Sequence, residues 1–197
     1  MTFWVRCFEP KGLKGENMNL PNSLTILRVI MIPLFVVAML WDSYSSDFIA
    51  GGIFIAACLT DFLDGYLARK YNQITTFGKF MDPLADKLLV CAALICFLAQ
   101  DNPEMPSWVV IVIISREFII SGFRLVAAEK GVTIAASWWG KIKTVVQMIM
   151  SLLLIFHFEH PVFRIIDQVF IYLALVLTVV SLIDYIYKNR DVMRDIR

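Results

Sequence analysis

Long apolar stretches recur six times along this chain, and they restrict its fold more than any other feature. They lie at about 24–41, 47–68, 80–100, 108–127, 136–156 and 165–187. Each comes close to the ~20 mostly apolar residues that a helix needs to cross a bilayer core of roughly 30 Å. Hydrophobic residues make up 59% of the chain and charged residues 18%, against roughly 45–50% and about 25% in soluble domains. The sequence therefore predicts an all-α integral membrane bundle of six transmembrane helices.

The N-terminal residues precede the first apolar segment. Residues 1–18 lack the apolar stretch of a secretory signal, and we interpret them as an extension, with Met18 as an alternative start. Residues 19–197 form one predicted domain. Asn22 or Ser23, directly after a proline, is the predicted N-cap of the first helix.

Lysine and arginine predict the orientation of the bundle. Of the 18 basic residues, only Arg164 falls in the connections that follow the first, third and fifth segments. The positive-inside rule then places both termini, and the active site described below, on the cytoplasmic side. Aromatic residues predict an outer interfacial belt and an inner one. The outer belt is Trp41, Tyr44 and Trp108, and the inner one is Trp138, Trp139, Tyr185 and Tyr187.

Four aspartates fall within the cytoplasmic half of two predicted spans. Asp61 and Asp64 are spaced i, i+3, and Asp82 and Asp86 are spaced i, i+4, so each pair lies on one helix face. A charge at the bilayer centre costs about 2.5–3.5 kcal/mol, and carboxylates at such positions usually mark function. Four carboxylates this close repel one another strongly unless they are protonated or neutralised by cations. Hard oxygen ligands favour Mg²⁺, Mn²⁺ or Ca²⁺ over zinc.

Three neighbours of the aspartates suit a phosphate ligand. Gly65 and Gly78 have no side chain, so a ligand can approach their backbone closely. Arg69 can bind phosphate oxygens with two hydrogen bonds. Metal ions and an arginine at the membrane surface predict a site for pyrophosphate.

The whole segment resembles the signature of the CDP-alcohol phosphotransferase family, D-x-x-D-G-x-x-A-R-x(8)-G-x-x-x-D-x-x-x-D. Every fixed position of that pattern is present between Asp61 and Asp86. The likeness extends from about Asn19 to the C-terminal tail. The resemblance implies a six-helix enzyme in the plasma membrane of a bacterium, with a tendency to form homodimers and no nucleic-acid partner.

The resemblance also implies a role for each signature residue. The implied ligands of two divalent ions, Mg²⁺ or Mn²⁺, are Asp61, Asp64, Asp82 and Asp86. Asp86 either completes the second metal site or acts as the general base, and the family favours the base. The residues implied to bind the nucleotide of CDP-diacylglycerol are Gly65, Arg69 and Gly78.

Three further stretches, 19–28, 116–124 and 139–144, resemble family members whose acceptor is glycerol 3-phosphate. The implied reaction converts CDP-diacylglycerol and glycerol 3-phosphate to phosphatidylglycerol phosphate and CMP. Other acceptors remain open: phosphatidylglycerol, serine, inositol phosphate or choline. Two other classes of membrane protein could also use aspartates in helices. A prenyltransferase would lack the glycine and arginine positions of the signature, and a divalent-cation transporter would need acidic residues in the outer half as well.

A phosphorylated acceptor needs cationic side chains near the metal ions. Arg116 and Arg124 lie eight residues apart, about 12 Å along a helix. Lys141 and Lys143 are spaced i, i+2 and cannot share a helix face. Either at least one of them lies on a non-helical entry, or only one contacts the substrate. We predict that these four residues bind the phosphate of glycerol 3-phosphate. Glu117 is either an ion-pair partner or a residue that orients a packing face.

The remaining titratable residues have simpler interpretations. We expect His157 and His160 to be ordinary loop residues, and Asp184 to pair with a nearby cation. The four cysteines show no metal-ligand spacing, and three of them lie in apolar segments. We interpret them as small buried hydrophobic residues.

Overall fold

A computed structural model describes the backbone of residues 20–41, 45–71, 76–100, 102–129, 134, 137–158 and 160–190. It describes the side chains of these residues except for 20–25, 61–71, 76–86 and 128–129. All regular structure in this part of the chain is helical. The helices are α1 (Leu20–Leu40), α2 (Ser46–Tyr71), α3 (Thr76–Ala99), α4 (Ser107–Glu129), α5 (Trp138–Phe156) and α6 (Pro161–Lys188). They coincide with the six apolar segments, so the all-α fold with six helices is confirmed.

The first helix begins earlier than predicted. α1 begins at Leu20, so Asn22 and Ser23 lie inside it and neither is the N-cap. That prediction was wrong. The proline at position 21 accounts for the difference, because its backbone dihedral suits a helix and its missing N–H has no intrahelical acceptor in the first turn.

The distribution of side chains is inverted relative to that of a water-soluble protein. Large apolar residues such as Val37, Ile111 and Ile183 are well exposed, whereas Arg28 and Lys143 are each only 1% exposed. Soluble proteins almost never bury such cations and rarely expose large contiguous apolar surfaces. An apolar exterior around buried charges is what a lipid environment favours.

Helix length and composition support membrane association. Among the described residues, α5 and α6 are long and apolar enough to cross a membrane. Shorter apolar helical stretches occupy Ile26–Leu40, Ser46–Thr60 and Lys87–Ala99. α4 has a suitable length but carries several charged side chains. That all six helices cross the bilayer remains a prediction.

The helices pack so that α3, α4, α5 and α6 enclose the site described below. α1 packs on α2 and α3, α2 on α5, and α6 on both α4 and α5. Phe35 of α1 and Phe54 of α2 are fully buried, with ring centroids 5.7 Å apart. Gly51 allows α2 to approach α5, because a Cβ atom there would lie 2.6 Å from the ring of Phe156.

The two histidines lie at helix ends. His157 ends α5 in the left-handed region, with φ of 37°. His160 caps α6, where its Nδ1 accepts a hydrogen bond from the backbone N–H of Val162 at 3.3 Å. Nearby, Arg164 Nε lies 3.3 Å from Glu104 Oε1 and links α6 to the connection before α4. These contacts agree with the interpretation of both histidines as loop residues.

Candidate active site

A cavity of about 210 Å³ lies between α3, α4, α5 and α6. Five basic side chains and one acidic side chain line it: Lys87, Arg116, Arg124, Lys141, Lys143 and Glu117. The four residues predicted to bind the acceptor phosphate are therefore brought together in one place. A concave site with this excess of positive charge attracts anions.

Helical spacing explains why one face of α4 lines the cavity. Arg116, Ile120 and Arg124 follow one another at intervals of four residues, which places them along one stripe of the helix. Arg116 is buried, and Arg124 lies two turns closer to the end of α4. This face of α4 therefore places positively charged side chains at two depths of the cavity.

Glu117 holds the deepest cations together. Arg116 Nη1 donates a hydrogen bond to Glu117 Oε1 at 3.1 Å, and Lys143 Nζ donates to the same oxygen. Arg116 Nη2 donates to Ser181 Oγ at 2.9 Å, so α6 takes part as well. Of the two interpretations of Glu117, the ion-pair partner is confirmed. Buried cations need a paired anion, because removing one partner leaves the other charge buried and unpaired.

A second set of contacts joins α3 to α4 at the cavity. Lys87 Nζ donates a hydrogen bond to Ser121 Oγ, which in turn donates to the backbone oxygen of Glu117. Lys87 directly follows Asp86 in α3. Val90, which lines the cavity, lies one helical turn after position 86 and on the same face. The last signature aspartate is thus at a helix position next to the basic cavity.

The start of α5 contributes backbone as well as side chains. Ser137 is the N-cap, and its hydroxyl accepts a hydrogen bond from the N–H of Gly140 at 3.2 Å. Lys141 and Lys143 both lie within the helix, so a non-helical entry for either of them is ruled out. They differ in environment: Lys143 is buried on Glu117, whereas Lys141 is exposed, with Nζ 6.0 Å from the ring centroid of Trp138. The positive end of the helix dipole adds to the attraction for anions.

Tyr185 was assigned to the inner aromatic belt, and that assignment was wrong. It is only 4% exposed and lines the cavity, where the guanidinium of Arg124 lies 5.8 Å from its ring centroid. Phe123 packs against the ring edge to face at 5.8 Å. Trp138 and Tyr187 are both 70% exposed, as a belt requires. The packing of α6 on α4, which sequence periodicity does not specify, turns Tyr185 inward.

The signature residues lie on described backbone but outside the described side chains. Positions 61 to 69 belong to α2, and positions 78 to 86 belong to α3. The predicted roles of these residues therefore stay predictions: Asp61, Asp64, Asp82, Asp86, Gly65, Arg69 and Gly78. Among the side chains that are described, no three His, Cys, Asp or Glu residues converge on a metal site.

The donor set of the signature fits divalent metal ions. α2 remains helical to Tyr71 and α3 is helical from Thr76. The i, i+3 pair and the i, i+4 pair of aspartates therefore each occupy one helix face. Two such pairs supply hard carboxylate oxygens, which suit Mg²⁺ or Mn²⁺.

Two simpler expectations concern Asp184 and the cysteines. The first is confirmed, because Asp184 Oδ1 accepts from Lys188 Nζ at 2.8 Å, one turn later in α6. The second is confirmed for Cys91 and Cys96, which are buried thiols within α3, whereas Cys58 is only partly buried and Cys7 lies outside the described residues. Neither finding adds a reactive group to the cavity.

Comparison with known proteins places this architecture in a family. A family model for CDP-alcohol phosphatidyltransferase matches residues 18–180. CDP-diacylglycerol–glycerol-3-phosphate 3-phosphatidyltransferase of Bacillus subtilis (strain 168) is 46% identical over 191 residues, covering 89% of this chain and 97% of the relative. The Haemophilus influenzae protein of the same name is 45% identical over 179 residues, covering 90% and 96%. A probable phosphatidylglycerophosphate synthase of Mycobacterium tuberculosis is 38% identical over 181 residues, covering 90% and 83%. The chain belongs to the CDP-alcohol phosphatidyltransferase family.

Proposed function

We propose that the protein transfers a phosphatidyl group from CDP-diacylglycerol to glycerol 3-phosphate, giving phosphatidylglycerol phosphate and CMP. The basic cavity beside the signature helices is the observation that carries this proposal. Serine and choline bring no phosphate for five cations to bind, and the phosphodiester of phosphatidylglycerol brings a single negative charge. The names of the relatives favour glycerol 3-phosphate over inositol phosphate, the other acceptor with a phosphate monoester.

The reaction is a displacement at the phosphatidyl phosphorus. A primary hydroxyl oxygen of the acceptor bonds to phosphorus, the bond from phosphorus to the CMP oxygen breaks, and CMP leaves. The hydroxyl proton passes to Asp86 in its role as general base. Asp61, Asp64 and Asp82 would hold two divalent ions, with Asp86 adjoining the second. When bound, these ions supply positive charge that polarises the phosphoryl group and stabilises the leaving CMP.

The donor substrate binds at the signature itself. Gly65 and Gly78 admit the nucleotide close to the backbone of α2 and α3. Arg69 binds phosphate oxygens of the CDP group. The diacylglycerol chains remain in the lipid, since the apolar side chains of the outer helix faces are exposed there.

The acceptor phosphate binds in the basic cavity. Arg116 and Lys143 are buried, so their charges are poorly screened and act strongly on an anion. Arg124 and Lys141 lie nearer the cavity mouth and complete the set. Position 86 of α3 lies next to the cavity, so the hydroxyl end of the same small molecule can reach the base.

The distribution of lysine and arginine supports a placement in the membrane. We propose that all six helices cross the plasma membrane and that both termini and the cavity face the cytoplasm, where the water-soluble reactant glycerol 3-phosphate is found and where CMP is released. Gly52 and Ala56 remain exposed on α2, and small residues favour close helix contacts in lipid. They support a homodimer, which cross-linking in native membranes would detect.

An acceptor panel tests the proposed function. Purified protein in detergent is given Mg²⁺ or Mn²⁺, CDP-diacylglycerol labelled in its cytidine, and one acceptor at a time. Rapid release of labelled CMP is expected only with glycerol 3-phosphate. Faster release with inositol phosphate or serine would reassign the acceptor. Metal flux into liposomes without any CMP release would favour the transporter.

Truncating a cavity arginine should weaken the binding of the acceptor specifically. We expect Arg124→Ala or Arg116→Ala to raise the KM for glycerol 3-phosphate by about 10- to 100-fold, because a charge-assisted contact with phosphate is lost. The dependence of rate on CDP-diacylglycerol should change little. Initial rates measured against each substrate in turn provide the test.

Arg190→Ala is the matched control for these variants, because Arg190 follows α6 outside the cavity, over the ring of Tyr187. It should leave both KM values unchanged. Arg124→Ala is the cleaner variant, since Arg116 also holds Glu117 and Ser181. A parallel change in both KM values, or plain glycerol serving as well as its phosphate, would exclude the phosphate site.

A further inference from the structure

The amide side chain of Gln147 is buried in the cavity without a hydrogen-bond partner among the described residues. Gln147 is only 3% exposed, and neither Oε1 nor Nε2 of its amide has a hydrogen-bond partner in the described part of the protein. It lines the cavity from α5. Buried amides are nearly always hydrogen-bonded, and an exception calls for an explanation.

The position of Gln147 relates it to the bound acceptor. It follows Lys143 by four residues, on the same face of α5 and about 6 Å farther from the start of the helix. A three-carbon chain can span that distance. The nearby hydroxyls donate their protons to backbone oxygens: Thr144 Oγ1 donates to Gly140 O at 3.0 Å, and Ser151 Oγ donates to Gln147 O at 3.0 Å. Gln147 therefore offers the cavity an unengaged donor and an unengaged acceptor.

We propose that Gln147 is a specificity-determining residue that hydrogen-bonds the secondary hydroxyl of glycerol 3-phosphate. This inference rests on the proposed function. Of the two hydroxyls of the acceptor, one attacks phosphorus and the other takes no part in bond making. The secondary hydroxyl, on the central carbon, can donate to Oε1 or accept from Nε2, while the cations bind the phosphate on the neighbouring carbon. A site built in this way rejects an acceptor that lacks the hydroxyl, because the amide then stays buried and unpaired.

The test compares glycerol 3-phosphate with 3-hydroxypropyl phosphate, which keeps the phosphate and the primary hydroxyl but lacks the secondary one. Wild-type protein should prefer glycerol 3-phosphate by about 10- to 100-fold in kcat/KM. Gln147→Met, which is similar in size and apolar, should bring the ratio close to one by lowering kcat/KM for glycerol 3-phosphate alone. Its thermal unfolding midpoint in detergent should not fall, since no bond within the protein is removed.

Ser151→Ala is the matched control, a buried polar residue one turn farther along α5. It should keep the wild-type preference. An equal loss of rate with both acceptors in Gln147→Met, or failure of that variant to accumulate in the membrane, would show a merely structural role. A wild type that uses both acceptors equally overturns this inference alone. A wild type that uses neither acceptor overturns the proposed function as well.

Discussion

Replacing Asp61, Asp64 or Asp82 by asparagine should reduce turnover by about a thousandfold or more while the protein stays folded in the membrane. Each change would remove an anionic oxygen from the proposed metal site, and with it stabilisation of the leaving CMP. Insertion should not suffer, because a neutral amide enters a bilayer at lower cost than a carboxylate. The measurement is CMP release at saturating substrates, together with membrane yield and the thermal unfolding midpoint.

Asp184→Asn is the matched control for this series. It makes the same chemical change near the end of α6, where the carboxylate pairs with the exposed Lys188 and is not itself among the side chains that line the cavity. Because Asp184 belongs to neither the signature nor the basic set of the cavity, activity should stay near that of the wild type. Near-normal turnover in any one signature variant would remove that aspartate from the metal site.

Asp86→Asn should lower kcat by about 10²- to 10⁴-fold, the range that a general base contributes. CDP-diacylglycerol binding and the Mn²⁺ concentration needed for half-maximal activity should stay close to the wild-type values. The physical reason is that the amide cannot take the hydroxyl proton, whereas the other three carboxylates would still hold the proposed ions. Single-turnover rates and Mn²⁺ titrations separate the two quantities.

A different pattern would assign Asp86 to the metal site. If CDP-diacylglycerol binding and Mn²⁺ affinity both collapse in Asp86→Asn, the residue is mainly a ligand. A kcat that is unchanged at saturating Mn²⁺ would exclude the base role. Rescue of the rate by small added carboxylates would support it.

The fold was predictable because lipid imposes a simple length rule on apolar segments. Six helices lie where six apolar segments do, and α2 and α3 carry the aspartate pairs on helical backbone. Arg116 and Arg124 could be assigned to one site because helical spacing places them on one stripe. These features depend on residues that are near one another in the chain.

Features that depend on how helices meet could not be predicted. Lys141 and Lys143 cannot share one helix face, yet the packing of α5 among α3, α4 and α6 lets both line the cavity, with Lys143 buried and Lys141 exposed. Tyr185 turns inward because α6 packs on α4. Gln147 belongs to no recognised motif, although its spacing of four residues from Lys143 could have placed it on the same helix face as that lysine.

Glu117 has a consequence for how the product departs. Its carboxylate already shares its charge with Arg116 and Lys143. A phosphate in the proposed acceptor site would therefore meet partly neutralised cations and bind less tightly than it would without Glu117. The product lipid keeps that phosphate, so the same weakening would favour its release into the leaflet.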